Sequence, residues 1–433
     1  MKKYIGYWLR RARKKRGFLQ EEVAKDKFAR HYISMIETGD ANLTDNLREH
    51  ITKILKLPGL YFDDGLFTYE KEELEKLKKE TDILLDSEKH EEAKSLVLKA
   101  LSISQEAKSD DYTNNFSVKL ARILVNEKKL KEAEEIFEKT NKYYSEEKDY
   151  KNLAYSYYWT GVLYREKKNY TDAVFMFNSA IEVNSKLKRK KDLSLNARAL
   201  TKIAQIYEYT ENYKGAKIKI KEALKLAEKL KDDFILAIVY WEYSLLLQRE
   251  GEYDKAINYY NKASSIYKNL GYEKDTLRIS NNLASIYYYK KDYDKVIQLT
   301  ERTIKISKEK KYMEELAYAL INGAKAKRYK GLLDEAESEI NESITLFDKL
   351  EDDRMLGISY IALALLQEKK KRKDLTILNF NKAIDIFKDL DKPVYILSAY
   401  GEIIRFYDEI GNFKEEREEY INKLIDKTKR VIF

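Results

Sequence analysis

The chain has 433 residues, of which 83 are Lys or Arg, 74 Asp or Glu, 3 His and none Cys. Only 14 Gly and 2 Pro interrupt it, where average usage of about 7% and 5% would supply roughly 50 breakers. That scarcity, beside 44% hydrophobic and 36% charged residues, excludes a strand-and-turn fold, a collagenous repeat or a disordered chain and reads as nearly all-helical.

The first 60 residues carry 14 Lys and Arg against 7 Asp and Glu, a net of +7; the rest carry 69 against 67, a net of +2. A basic module is joined to a nearly neutral body, the footprint of a polyanion-binding end or, more blandly, a solvated basic helix. Four short helical patterns run from Lys3 to Leu57. In the first, Ile5, Leu9 and Ala12 form an apolar stripe, the run Arg10 to Arg16 makes the other face cationic, and Gly17 stops the helix. Gln20 opens the second. The third covers about Arg30–Glu37, with Ile33 and Ile36 inward, and ends at Gly39. Thr44 is the expected N-cap of the fourth, which carries Leu47, Ile51, Ile54 and Leu55 on one face.

The runs Gly17-Phe18-Leu19-Gln20-Glu21-Glu22-Val23-Ala24 and Tyr32-Ile33-Ser34-Met35-Ile36-Glu37-Thr38-Gly39 resemble the phage-repressor, XRE-type helix-turn-helix over about 55 residues. The interval from Ala24 to Tyr32 is one residue shorter than in its plainest members. The resemblance implies duplex DNA as partner and a recognition helix whose first residues reach base edges. Arg30, His31 and Ser34 hold those places; the other reading of them is exposed helix surface. Gln20 would bond a phosphate or the first base, and Lys14, Lys15, Asn42 and Thr44 are phosphate candidates. Arg13 and Glu37 match an internal ion pair of that family, which is structural.

Residues 58–69, from Pro58-Gly59 to Tyr69, read as a linker between a 1–57 head and a 70–433 body. Ala93, Ala133, Ala173, Ala216, Ala256, Val296, Ala336, Thr376 and Glu416 then recur at steps of 40, with one step of 43. The extra residues fall in the basic loop Lys186–Lys191. A fixed period with small anchors marks a helical solenoid. Gly161, Tyr164, Ala173, Phe177 and Ala180 show the pattern of one unit: small residues let two antiparallel helices close up, and aromatics fill the groove between pairs. The pattern resembles the tetratricopeptide repeat lengthened to 40 residues. The expected fold is all-α: the head, then a right-handed superhelix of about nine helix pairs.

The first helix of each pair should line the concave face. Two positions before the small residue stand Trp159, Lys202, Glu242, Asn282, Asn322 and Ala362, so Asn282 and Asn322 fall in register on neighbouring repeats. A carboxamide offers a donor and an acceptor, and two in register suit the backbone of an extended peptide. Arg278, Asn281, Ser285, Tyr318, Lys325 and Trp241 lie around them. The bland reading is solvated groove polarity.

The head followed by long-helix repeats resembles the RRNPP regulators (Rap, Rgg, NprR, PlcR and PrgX) of low-GC Gram-positive bacteria. The resemblance implies a cytoplasmic, homodimeric transcription factor for quorum sensing, with a short imported signalling peptide in its repeats and links to sporulation and virulence genes. The alternative is a scaffold or inhibitor that holds a protein partner such as a phosphorelay component, with DNA binding secondary. No nucleophile–base pair, phosphate loop or metal cluster is legible, so neither catalysis nor a cofactor is expected. His31, His50 and His90 make no metal motif, and no segment has the apolar length of a membrane span.

Overall fold

The computed structural model describes residues 4–58, 61–87, 89–187, 192–230, 232–388, 390, 393–411 and 414–432. Every regular element among them is a helix. The expectations that rested on Glu416 and on Lys188 to Lys191 concern side chains outside the described residues. The chain divides into two compact units, residues 1–219 and 220–433.

The head consists of α1 (Ile5–Lys15), α2 (Gln20–Ala24), α3 (Arg30–Thr38) and α4 (Asp45–Ile54), with a single 3-10 turn, Lys25–Lys27, between α2 and α3. Leu9, Ala12, Val23, Ile33, Ile36, Leu47 and Ile51 close one core. Gly6 is required where α1 meets α3, because a Cβ there would stand 2.2 Å from the Ile36 carbonyl oxygen. Arg13 donates twice to Glu37, at 2.7 and 3.0 Å, which ties α1 to α3 as the motif implied. Thr44 holds the N-cap position of α4, but its side chain makes no capping hydrogen bond.

Segment 58–69 is not a slack linker. α5 (Tyr61–Asp64) and the start of α6 (Thr68–Asp86) bury Tyr61, Phe62 and Phe67 in the head's own core. α1 therefore has two buried faces. Leu9 and Ala12 face the head, while Trp8 and Arg11 face the first repeat. Trp8 Nε1 donates to the Ala107 carbonyl at 2.6 Å, and Arg11 grips Glu70 and the Gly65 carbonyl.

Among the described residues, nine helix pairs follow the head, beginning with α6 and α7 (His90–Glu106) and ending with α22 (Pro393–Ile410) and α23 (Lys414–Ile432). Between them lie α8 (Asp110–Asn126), α9 (Leu130–Glu146), α10 (Tyr150–Glu166), α11 (Tyr170–Ser185), α12 (Leu193–Tyr209), α13 (Tyr213–Leu230), α14 (Asp233–Arg249) and α15 (Tyr253–Asn269). Then come α16 (Glu273–Tyr289), α17 (Tyr293–Lys310), α18 (Met313–Lys330), α19 (Leu333–Lys349), α20 (Asp353–Lys369) and α21 (Lys373–Lys388). The anchors Ala93, Ala133, Ala173, Ala256, Val296, Ala336 and Thr376 are wholly buried. A Cβ on Gly161 would lie 2.9 Å from the Phe177 ring, and one on Gly357 would lie 2.3 Å from Phe387, so glycine sets those helix separations. Most helices end on a residue with positive φ. Lys108, Lys128, Lys148 and Lys168 repeat at intervals of 20, and Gly251, Gly271 and Gly331 take the same place further on. Each turn is a Schellman closure: the Lys168 amide donates to Arg165 O and the Asn169 amide to Tyr164 O, both at 2.9 Å. First helices of successive pairs also touch one another, α8 with α10 in the first unit and α18 with both α16 and α20 in the second, and so form the inner layer of each stack.

Candidate functional site

In the head, α3 buries Ile33 and Ile36 and turns Arg30 and His31 to solvent, with Ser34 half-buried on the same side. Lys14, Asn42 and Thr44 are exposed. Two other expected DNA contacts are already engaged. Lys15 Nζ lies 2.8 Å from Glu70 and 3.0 Å from Glu106, and Gln20 donates to Glu37 at 3.0 Å. Lys15 thus takes part in the head's anchorage, and Gln20 joins the internal ion pair. The cationic face of α1 is thinner than its sequence suggests, since Arg11, Arg13 and Lys15 are all neutralised inside the protein. Arg10, Lys14, Arg16, Lys25, Lys27 and Arg30 stay exposed.

In the second unit, Trp241, Arg278, Asn281, Asn282, Tyr318, Asn322 and Lys325 all line one cavity of about 490 Å³, joined by Ser285, Tyr289, Glu314, Glu315, Arg354, Met355 and Ile358. The 40-residue register does this: α14, α16 and α18 present equivalent positions, and α20 adds Met355 and Ile358 to the lining.

These residues differ in what they leave open. Asn281 is buried and donates to the Glu315 carbonyl at 3.0 Å, so it ties α16 to α18; its Oδ1 has no partner. Asn322 donates to Asn281 O at 3.3 Å, which leaves its carbonyl as the free end. Asn282 has no hydrogen bond among the described residues, so its whole carboxamide is available. Arg278 is no free cation: it pairs with Glu315 at 2.9 Å, Glu314 at 3.1 Å and Asp275 at 3.5 Å. Burial opposes its charge, but the neighbouring carboxylates win and hold its pKa above the ordinary value. Tyr318 donates to Asp352 at 3.3 Å and accepts from Arg354 at 3.1 Å. Trp241 Nε1 is buried with no acceptor.

Lys325 stands apart. It has no ion pair among the described residues, and burial, with Arg328 and Arg354 nearby, pushes it down to about 8. Sequence reasoning missed Glu314 and Glu315 as the groups that neutralise Arg278, and Arg354 as a further lining cation. All three lie one or two turns from predicted positions, on the same inner helices. Among the described residues no group of three or more His, Asp or Glu could hold a metal ion, and no helix is long and apolar enough to cross a membrane.

Stacked antiparallel helix pairs with small buried anchors are the architecture of tetratricopeptide repeats. Residues 154–187 and 235–309 match the tetratricopeptide-repeat profile. No curated relative matches the chain by sequence. Among solved structures, the fold is similar to the apo form of the quorum sensor NprR from B. thuringiensis, with a TM-score of 0.60 and 16% identity over 83% of this chain and 99% of that one. It is similar to a Rap protein complexed with competence and sporulation factor, with a TM-score of 0.59 and 16% identity over 83% and 99%. It is also similar to a signal-transduction ATPase with a tetratricopeptide-repeat sensor from Pyrococcus horikoshii, with a TM-score of 0.58 and 14% identity over 94% of this chain and 59% of that one. At these identities the likeness concerns the fold.

Proposed function

We propose that the chain is a sequence-specific, DNA-binding transcriptional regulator of the RRNPP kind, whose repeat groove takes a short signalling peptide. The observation that carries this reading is that the in-register Asn282 and Asn322 and the residues expected around them line one cavity, with the Asn282 carboxamide and the Asn322 carbonyl open to it. An extended peptide presents amides and carbonyls at the repeat such groups need. The head supports the DNA half with its exposed Arg30 and His31 and its rigid Arg13–Glu37 brace. A quorum sensor and a Rap protein complexed with competence and sporulation factor are similar in fold. One head reads about half a turn of duplex, so the working form is a homodimer whose heads stand about 34 Å apart or a multiple of it. Peptide shifts DNA binding by its differential affinity for the repeat conformations.

The test is selection of genomic DNA fragments by the full chain at low salt, with and without a pool of short peptides. Paired half-sites should be enriched. With about six phosphate contacts per dimer, log affinity should fall with log salt at a slope near −5. Arg30→Ala should flatten discrimination, while Lys14→Ala should weaken all sequences alike. No enriched fragment under either condition would overturn the DNA half. Enrichment indifferent to every peptide would favour a scaffold that holds a phosphorelay or other protein.

A further inference from the structure

The cavity between α14, α16, α18 and α20 carries one unspent charge. Arg278 faces three carboxylates, and Arg354 gives its hydrogen to Tyr318 with Asp352 at 4.0 Å. Lys325, one turn beyond Asn322 on α18, lines the same cavity and has neither an ion pair nor a hydrogen bond among the described residues. Glu314 and Glu315, the acids of the cavity wall, are held by Arg278. Trp241 Nε1, also in that wall, is a buried donor without an acceptor.

A half-buried ammonium without a counterion is costly. Every other cation lining this cavity has been given partners by the fold, while this one has been placed beside the open carboxamides without any. We propose that the groove's occupant supplies the missing partner: a short acidic peptide that seats a carboxylate on Lys325, its backbone running along Asn322 and Asn282. This rests on reading the groove as a peptide site and adds the chemistry of what fills it. The carboxylate accepts charge-assisted hydrogen bonds from the Lys325 ammonium, and Arg354 lends further positive potential from α20. Met355 and Ile358, on α20 with Arg354, line the same cavity, so the occupant also meets apolar surface there. Such a carboxylate comes from an Asp or Glu side chain or from the peptide's own C-terminus, and the two sources are separable.

The full chain is exposed to a randomised heptapeptide library in two forms, free acid and C-terminal amide, and the retained peptides are read by mass spectrometry. Enrichment of Asp or Glu at one position in both forms assigns a side chain to Lys325. Retention of the free-acid form alone assigns the terminus. In either case Lys325→Met should lower retention of the enriched peptides about tenfold or more while still holding peptides through the Asn pair. Lys325→Arg should keep the preference, which separates loss of charge from loss of fold. A retained pool with no carboxylate preference, or a preference unchanged in Lys325→Met, would overturn the assignment and leave the peptide reading standing. A full chain that retains no peptide in either form would overturn both.

Discussion

The anchorage of the head on the first repeat offers the sharpest test of the fold's energetics. Arg11 and Glu70 are each only 5% exposed and meet in a two-pronged pair, Nη2 to Oε1 at 2.7 Å and Nη1 to Oε2 at 3.2 Å. Nη1 also donates to Gly65 O at 2.8 Å, and Glu70 accepts from Lys15 at 2.8 Å and from the Phe67 amide at 3.0 Å. Gly65 is there by necessity: its φ is +72°, and a Cβ would stand 2.1 Å from Trp8 Nε1. Glu70→Ala strips partners from Arg11, Lys15 and the Phe67 amide together, so it should cost about 3–5 kcal/mol locally, the range for breaking a buried pair from one side. Arg11→Ala leaves Glu70 with Lys15 and the Phe67 amide and should fall at the lower end of that range. Replacing both by Met removes the uncompensated charge and should recover most of the loss. Repeat proteins do not unfold in one step, so the readout must be local. Hydrogen exchange at the amides of α1, α5 and the first turn of α6 reports the opening free energy of the contact. A cost below about 1 kcal/mol for Glu70→Ala, or a double variant as weak as the sum of the singles, would refute the argument.

Acid should act on the same contact. Burial would raise the Glu70 pKa, but the hydrogen bonds from Arg11, Lys15 and the Phe67 amide outweigh it and hold the carboxyl below its usual value. A lowered folded pKa gives stability that is complete above the unfolded value of about 4.3 and is lost as pH falls through the folded one; exchange protection of α1 should be flat from pH 5 to 8 and fall below about pH 4. In the groove, Asn282→Ala should weaken a library-selected peptide by about 1–3 kcal/mol, about five- to 150-fold, as an amide loses its partner. Asn322→Ala should do the same, and Asn282→Ala should leave the peptide-free exchange protection of α16 unchanged; calorimetry showing unaltered affinity in both would remove this region as the peptide site. At the helix ends, Lys148→Gly and Lys168→Gly relieve positive φ at exposed turns. Each should stabilise its turn by about 0.5–1 kcal/mol after the entropic cost of glycine, read as slower hydrogen exchange at the ends of the two helices it joins.

The repeat was legible because a solenoid turns sequence register into spatial adjacency. A residue 40 positions away stands beside its equivalent, and that arithmetic alone gathers Asn282, Asn322 and their neighbours into one cavity. The turns were harder to see. Where Gly or Pro would advertise a helix end, this chain uses Lys108, Lys128, Lys148 and Lys168 in the left-handed region, so its punctuation is hidden among its commonest charged residues. The same feature explains how so long a succession of helices is built with so few glycines.

The head's docking was not legible, and the reason lies in α1. A cationic run reads as surface when only composition is visible, because a buried arginine is recognised by its partner and not by itself. Arg11 is spoken for by Glu70, 59 residues on, and Trp8 by a carbonyl 99 residues on. Neither partner belongs to the head's motif or to the 40-residue register, so no periodicity could point to it. The residues between, read as a linker from their mixture of aromatics and acids, are the plug that makes the contact: Tyr61 donates to the Trp8 carbonyl at 3.2 Å, and Phe67 packs under Arg11. Charge that looks available for DNA is thereby divided in two. Arg11 and Lys15 hold the head to the first repeat, while Lys14 and Arg30 face outward. A head fixed in this way does not swing on its own. Whatever orientation the first repeat takes is passed to α3 through α1 and the Arg13–Glu37 brace. Releasing the Arg11–Glu70 pair should therefore uncouple DNA affinity from the state of the repeats before it harms the head's own fold, whose Leu9, Ile33 and Ile51 core lies on the other side of α1.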